Sequence, residues 1–320
     1  MSTIQRRTPK SYAFNHPTLP DKHNPYPEDD EHMITPTKET WKLHVRVERL
    51  WTTYSPYNPT EKRSMELILL DAKGDKIQAS IPKYLISKFE KLIKEGVFYH
   101  FTNFEIEQNN EEFIATRHPY RLKFHKFTSP WPAKNLPIPK YGFKFIPFAE
   151  FGTDKCYAKL LVDVIDEVLN VGDIVELNKN GQCTKRVTIH LLDSIGDTIE
   201  CTLWNNYADQ MVNYWKSNDG PVCVILQYAM VKDFRRELLP NSLVVKYLQN
   251  SIFATRMLIN EDVPELADFM NSIKENSDAR HLSPNNHCHM DLMHYLMISQ
   301  LYCNSRVFVN WTLLRRNVVV

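Results

Sequence analysis

Trp204 and Phe234 are the residues of this 320-residue chain whose surroundings most suggest chemistry. Trp204 ends a stretch of alternating apolar residues, and Phe234 stands among Lys232, Asp233, Arg235 and Arg236. A ring face beside a guanidinium can stack a planar ring and neutralise an anion attached to it, which is what an unpaired nucleotide requires, at about 1–3 kcal/mol per stacked base. Trp204 could equally cap a core from a strand end, whereas the charged neighbours of Phe234 argue against burial. A second set begins at Phe113 and continues through Arg117, His118, Arg121, Lys123 and Lys126. Cations alternating along a strand share one face and could track phosphates. Glu105, Glu107, Glu111 and Glu112 stand at the same rim and would repel a polyanion. Trp51, Tyr54 and Tyr57, close to Pro56 and Pro59, offer further ring surface or pack on one another. Lys185 and Arg186 add two cations, suited to phosphate or simply to water.

Other chemistries find little support. The eight Gly form neither G-x-G-x-x-G nor G-x-x-x-x-G-K-[ST], and H-E-x-x-H and G-x-S-x-G are absent. Asp163 and Asp166 lie three apart on a predicted strand, so they point to opposite faces rather than to a shared metal. Six Cys without any C-x-x-C pair read as reduced thiols of a cytosolic or nuclear protein. The tail holds His281, His287, Cys288, His289, His294 and Cys303, but adjacent His-Cys-His cannot supply spaced tetrahedral ligands. No catalytic residue, metal, cofactor or small-molecule substrate is expected. Apolar stretches break before 18 residues, and the first 30 lack an apolar run, so neither a membrane span nor a secretory leader is read. Net charge is +1, divided as +5 over residues 1–153 and −4 over 154–320. A polyanion could be held only by local patches.

The positioning elements follow from period-2 alternation, which marks half-buried strands. Residues 1–38, with six Pro and the run Glu28-Asp29-Asp30-Glu31, read as a disordered arm. Residues 39–128 predict strands over 41–51, 65–71 and 76–81, a helix over 83–94, then strands over 97–107 and 112–127. Residues 129–154, rich in Pro, read as a linker. Residues 155–256 repeat the pattern, with a short helix from Asn205 to Lys216. Residues 257–320 read as a C-terminal helix and an atypical tail, with disorder or a divergent segment as its reading. The repetition shows in letters: Leu69-Leu70-Asp71-x-x-Gly74-Asp75-x-Ile77 recurs as Leu191-Leu192-Asp193-x-x-Gly196-Asp197-x-Ile199. An Asp/Gly hairpin turn is common, yet its identical placement before a helix indicates an internal repeat. Five short strands with a helix between the third and fourth is the plan of an OB barrel, so the predicted fold is all-β: tandem five-stranded OB barrels, one short helix in each.

Residues 41–127 followed by 155–268 resemble the tandem OB pair of the replication protein A large subunit, in particular its plant replication factor A large-subunit-like branch. Trp41-Lys42, Phe113-x-x-Thr116, Tyr120-x-x-x-Phe124, Val162-Asp163-Val164-Ile165, Cys201-Thr202-Leu203-Trp204, Val231-x-Asp233-Phe234 and the stretch from Ile259 to Glu265 carry the likeness. The resemblance implies non-catalytic single-stranded-DNA binding in replication, recombination or repair, in the nucleus, with replication protein A-type subunits or other replication proteins as partners. Trp204 and Phe234 match the second module's stacking pair, Phe113 matches one stacking residue of the first, and Lys185 matches a basic position. The first module's other aromatic, implied near the end of its third strand, is replaced by Ile81-Pro82. The family's third module, with its four-Cys zinc ribbon and trimer helix, finds no counterpart in residues 277–320. A protein-interaction scaffold that has lost most DNA binding is the alternative.

Overall fold

Apolar alternation builds two sheets in the computed structural model, which describes residues 34–37, 41–134, 136–152, 159–179, 182–235 and 244–281. The first module runs β1 (Lys42–Tyr54), β2 (Lys62–Leu70), β3 (Lys76–Pro82), a 3-10 turn leading into α1 (Ile86–Phe89), β4 (Phe98–Thr102), β5 (Glu105–Gln108), β6 (Tyr120–Lys123) and β7 (Ser129–Pro132). The second runs β8 (Leu161–Val171), β9 (Val175–Lys179), β10 (Gln182–Leu192), β11 (Thr198–Trp204), α2 (Asn206–Ser217), β12 (Cys223–Arg235), β13 (Val244–Asn250) and β14 (Arg256–Ile259). Then α3 (Pro264–His281) begins, with Pro at its first position where no amide is needed. Both modules lie in one compact unit that ends at Phe269.

The second sheet closes on itself, because β11 pairs with both β10 and β13 while β12 and β8 complete the ring. In the first, the fourth strand breaks at Asn103, which sits at φ 56°, a conformation Asn tolerates better than most residues. Its first half (β4) pairs with β1 and its second (β5) with β6. The repeated turn is built identically in both copies. Asp71 Oδ1 accepts the amides of Lys73 and Asp75, and Asp193 Oδ1 accepts those of Ile195, Gly196 and Asp197. Gly74 and Gly196 hold the left-handed φ that each turn demands.

Three stretches differ from the expected pattern. The helix read over 83–94 is short, with Leu85, Ile86, Phe89 and Ile93 in the core and Leu92 turned to water. The last strand is confined to β6 because Pro119 precedes it and its carbonyl takes the Asn109 amide. The Pro-rich stretch read as a linker contains β7, which pairs with β4, and Phe148 and Phe151, which enter the second core.

That stretch also reaches a buried knot of charge where the modules meet. Glu48, Lys76, Asp163 and Tyr228 are nearly inaccessible, and Lys76 Nζ lies 3.2 Å from Glu48 Oε2 and 3.6 Å from Asp163 Oδ2. The Tyr228 hydroxyl donates to Glu48, the Gly142 amide donates to Glu48 Oε1 at 2.6 Å, and the Tyr228 and Lys144 amides donate to Asp163. A Cβ on Gly142 would come within 2.5 Å of Leu70, so the close approach requires glycine. Burial works against the Glu48 charge, but Lys76 and the three hydrogen bonds outweigh it and hold the carboxyl below its ordinary range. Burial pushes Asp163 and Tyr228 upward, with Lys76 opposing on Asp163 and Glu48 reinforcing on both.

Two bulges aim these groups. Glu48 is the unpaired residue of β1, where the register jumps from Val47 to Arg49. Tyr228 stands in the irregularity of β12 between Leu226 and Ala229, at φ 60°. A bulge re-aims side chains, and left-handed backbone at a tyrosine costs about 1–3 kcal/mol, which the surrounding contacts must offset.

Candidate nucleic-acid interface

β2 and β3 present an outer row of polar residues, Ser64, Glu66, Gln78 and Ser80, bound to one another. The two hydroxyls donate to Glu66 Oε1 at 2.7 Å, and Gln78 donates to Oε2 at 3.2 Å. This row floors a groove of about 1040 Å³ bounded by the loop after β1, the segment from Glu107 to Phe113, and residues of the second module. Trp51, Tyr54 and Phe113 come from the first module, and Leu161, Met230 and Ser251–Ala254 from the second. Phe113 is half-buried against a cluster drawn from both modules that includes Leu161, Tyr228, Met230 and Ala254, with Lys232 Nζ 4.4 Å from its ring centre. Charges in the groove nearly balance: Arg63, Arg121 and Lys123 face Glu66, Glu107, Glu111 and Glu112. Arg121 bonds to both Glu107 and Glu111, and burial, which works against its charge, is overcome by these carboxylates. Such a cleft suits the uncharged rings of a ligand better than its phosphates.

The second module has its own rim. Trp204 ends β11, half-buried, with its amide donating to Asn250 Oδ1 at 2.7 Å. Arg186, its ladder partner on β10, holds a guanidinium 6.0 Å from the indole centre. Strand alternation puts Lys185 on the opposite face, where it meets Asp209 of α2 at 3.3 Å. Neither Trp204 nor Arg186 lines the groove of the first module. Phe234 and Arg235 are placed on β12 by their pairing with Val245 and Val244, but their side chains, and all of Arg236, fall outside the described residues. Arg117 is exposed beside a small pocket that also touches Lys76, Lys144 and Asp163. The tail beyond His281, with His287, Cys288, His289, His294 and Cys303, lies outside the described residues as well. Among the described residues no three metal-ligating side chains converge, and no helix is long and apolar enough to cross a membrane.

Known proteins match on both modules. The profile of the Replication protein A OB domain fits residues 154–243, and that of the Domain of unknown function DUF223 fits residues 32–151. The replication protein A 70 kDa DNA-binding subunit of Xenopus laevis is 23% identical over 240 residues, which cover 72% of this chain and 36% of that protein. Its counterpart in Mus musculus is 26% identical over 244 residues, covering 72% and 35%. Over these residues the chain is similar to the replication protein A large subunit. It spans about a third of the length of these curated relatives. A solved replication protein A heterotrimer bound to single-stranded DNA is 18% identical and covers 78% of this chain and 55% of its own, with a TM-score of 0.49.

The molecule departs from the pattern that the resemblance implies at the end of β3, where Ile81 is wholly buried in the first core and Pro82 lines the groove. Sequence reasoning did not single out Met230, Ile252 or Phe253 as groove residues, because they come from the other module and no periodicity links them to it. Nor did it single out the Glu48–Lys76 pair. The internal repeat held a signal for that pair. Leu69 and Leu191 are equivalent, and the residues opposite them, Val47 and Val168, are each followed by a bulged residue: Glu48 in one copy, Leu169 in the other. A charge where the repeat has leucine marks a surface with a different neighbour.

One pH effect follows from a buried imidazole of the first module. His118 is 2% exposed, its Nδ1 lies 3.1 Å from the Tyr120 amide, and its Nε2 has no partner. Burial lowers its pKa from 6.5 to about 4, against a smaller upward pull from Tyr120. Above pH 6.5 the ring is neutral whether the chain is folded or not. Below it the unfolded chain takes the proton first, so stability is lost as pH falls towards 4, on the order of 3 kcal/mol in all. Chemical unfolding at a series of pH values should show His118→Gln flattening this decline, and an unchanged slope would exclude His118 as its source.

Proposed function

We propose that the chain binds single-stranded DNA without catalysis and serves DNA replication, recombination or repair in the nucleus. The observation that carries the reading is the groove crossing both modules, with ring-bearing walls over a polar floor, in a chain whose curated relatives are named DNA-binding subunits. Unpaired bases would lie against Trp51, Tyr54 and Phe113 and then against Trp204 and Phe234. Phosphates would follow Arg186, Arg235, Arg236 and Arg117, while Lys185, on the opposite face with Asp209, and Arg121 would contribute only by releasing a carboxylate. Replication protein A-type subunits, or other replication and repair proteins, are the proposed protein partners.

Fluorescence-anisotropy titration of oligo-dT tests this. The logarithm of affinity should fall linearly with the logarithm of salt concentration, by about 0.7 for each phosphate neutralised. Undetectable binding at low salt, or an affinity indifferent to salt, would overturn it. The second reading, an interaction scaffold with little DNA binding, is favoured by Glu66, Glu107, Glu111 and Glu112 in the groove, and that outcome would select it.

A further inference from the structure

We propose that Tyr54 of the first module and Phe253 of the second form a clamp for one unpaired base at the place where a strand passes between the modules. The inference rests on the single-stranded-DNA reading above and assigns a base position to a residue pair that neither module holds alone.

Tyr54 is the last residue of β1, 39% exposed, and Phe253 lies in the loop between β13 and β14. Their ring centres are 6.2 Å apart with planes inclined by 40°. A flat ring stacked between two others needs two contacts of ~3.5 Å, or ~7 Å in all, so the pair must open by less than about an ångström and level its tilt. Tyr54 can supply that movement from a strand end, because its side chain is well exposed.

Phe253 is the rigid half. Its loop is closed by Ser251 and Thr255: Ser251 Oγ accepts the Ala254 and Thr255 amides at 2.9 and 2.8 Å, and Thr255 Oγ1 accepts the Ser251 amide at 2.7 Å. Thr255 Oγ1 then donates to the Tyr228 carbonyl at 2.7 Å, and the Tyr207 hydroxyl donates to the Thr255 carbonyl. From the first module, Arg49 donates to the carbonyls of Ala254 and Thr255 at 2.8 and 2.9 Å. A loop tied from both modules presents an aromatic with its ordering cost already met during folding, which is how preorganised sites gain affinity. Beside Phe253 the loop exposes 82% of Ile252, an apolar tip with no core to serve.

The test uses the full chain, with anisotropy of oligo-dT of about 4 and about 16 nucleotides, the limits of single-module site sizes. Phe253→Ala should weaken the longer strand by about 5- to 160-fold, the equivalent of one stacked base. The shorter strand, free to choose Trp204 alone, should lose far less. Phe253→Tyr should restore tight binding and Phe253→Leu should not, and all variants should unfold at nearly the same temperature because the ring lines the groove and is not among the core residues. If Phe253→Ala binds the longer strand as the unaltered chain does while Trp204→Ala does not, the clamp is wrong and the DNA reading stands. If the unaltered chain binds neither strand, both fall together.

Discussion

Lys76→Met is expected to lower the unfolding free energy by about 3–5 kcal/mol, because it leaves the carboxyls of Glu48 and Asp163 buried without their cation. Lys76 is the only cation among the described residues within ion-pair distance of either of them. Removing it also takes away the Nζ that donates to the Tyr228 hydroxyl at 3.0 Å. Denaturant unfolding with an unchanged slope would measure the loss as a shifted midpoint. Lys76→Met combined with Glu48→Gln and Asp163→Asn should recover most of it, since desolvating a charge costs far more than desolvating an amide that keeps its hydrogen bonds. A midpoint unmoved by Lys76→Met alone would mean that the knot contributes nothing to holding the modules together.

Trp204→Ala together with Phe234→Ala is expected to weaken oligo-dT binding at least tenfold. Two stacks at the low end of ~1 kcal/mol each already amount to about 30-fold. Trp204 is partly buried at the end of β11 but outside the core cluster, with Arg186 at 6.0 Å on one face. Its loss therefore removes ring surface and frees a guanidinium without opening a core. The indole's backbone anchor, the bond from its amide to Asn250, survives the change. An anisotropy titration that returns the dissociation constant of the unaltered chain would remove the second module from the proposed path of the strand.

Several features were readable from the linear order of residues. Val45, Val47, Leu67 and Leu69 alternate with polar partners and enter one core, and Val187, Ile189, Leu191 and Leu203 do the same in the other. The paired Asp/Gly turns identify a duplicated module because both the carboxylate acceptor and the left-handed glycine are needed at fixed spacing. Ring-bearing candidates were visible too, Trp204 at the end of an apolar strand pattern and Phe234 by contrast with its charged neighbours. What escaped notice was how opposite charges would pair: Arg121 was read as part of a phosphate track, yet it spends itself on Glu107 and Glu111 across the β5–β6 hairpin.

Local patterning, then, was enough to specify two small β modules and the repeat relating them, because strand periodicity and turn geometry depend on residues a few positions apart. It did not show that, among the described residues, only the second sheet closes into a barrel. The union of the modules depended on contacts some 180 to 205 positions apart, such as Tyr228 with Glu48 and Arg49 with Ala254. Those contacts exist because two bulges turn side chains out of register, and a bulge leaves no periodic mark in the chain. Folding in three dimensions therefore made one groove from two modules and placed Phe253 opposite Tyr54.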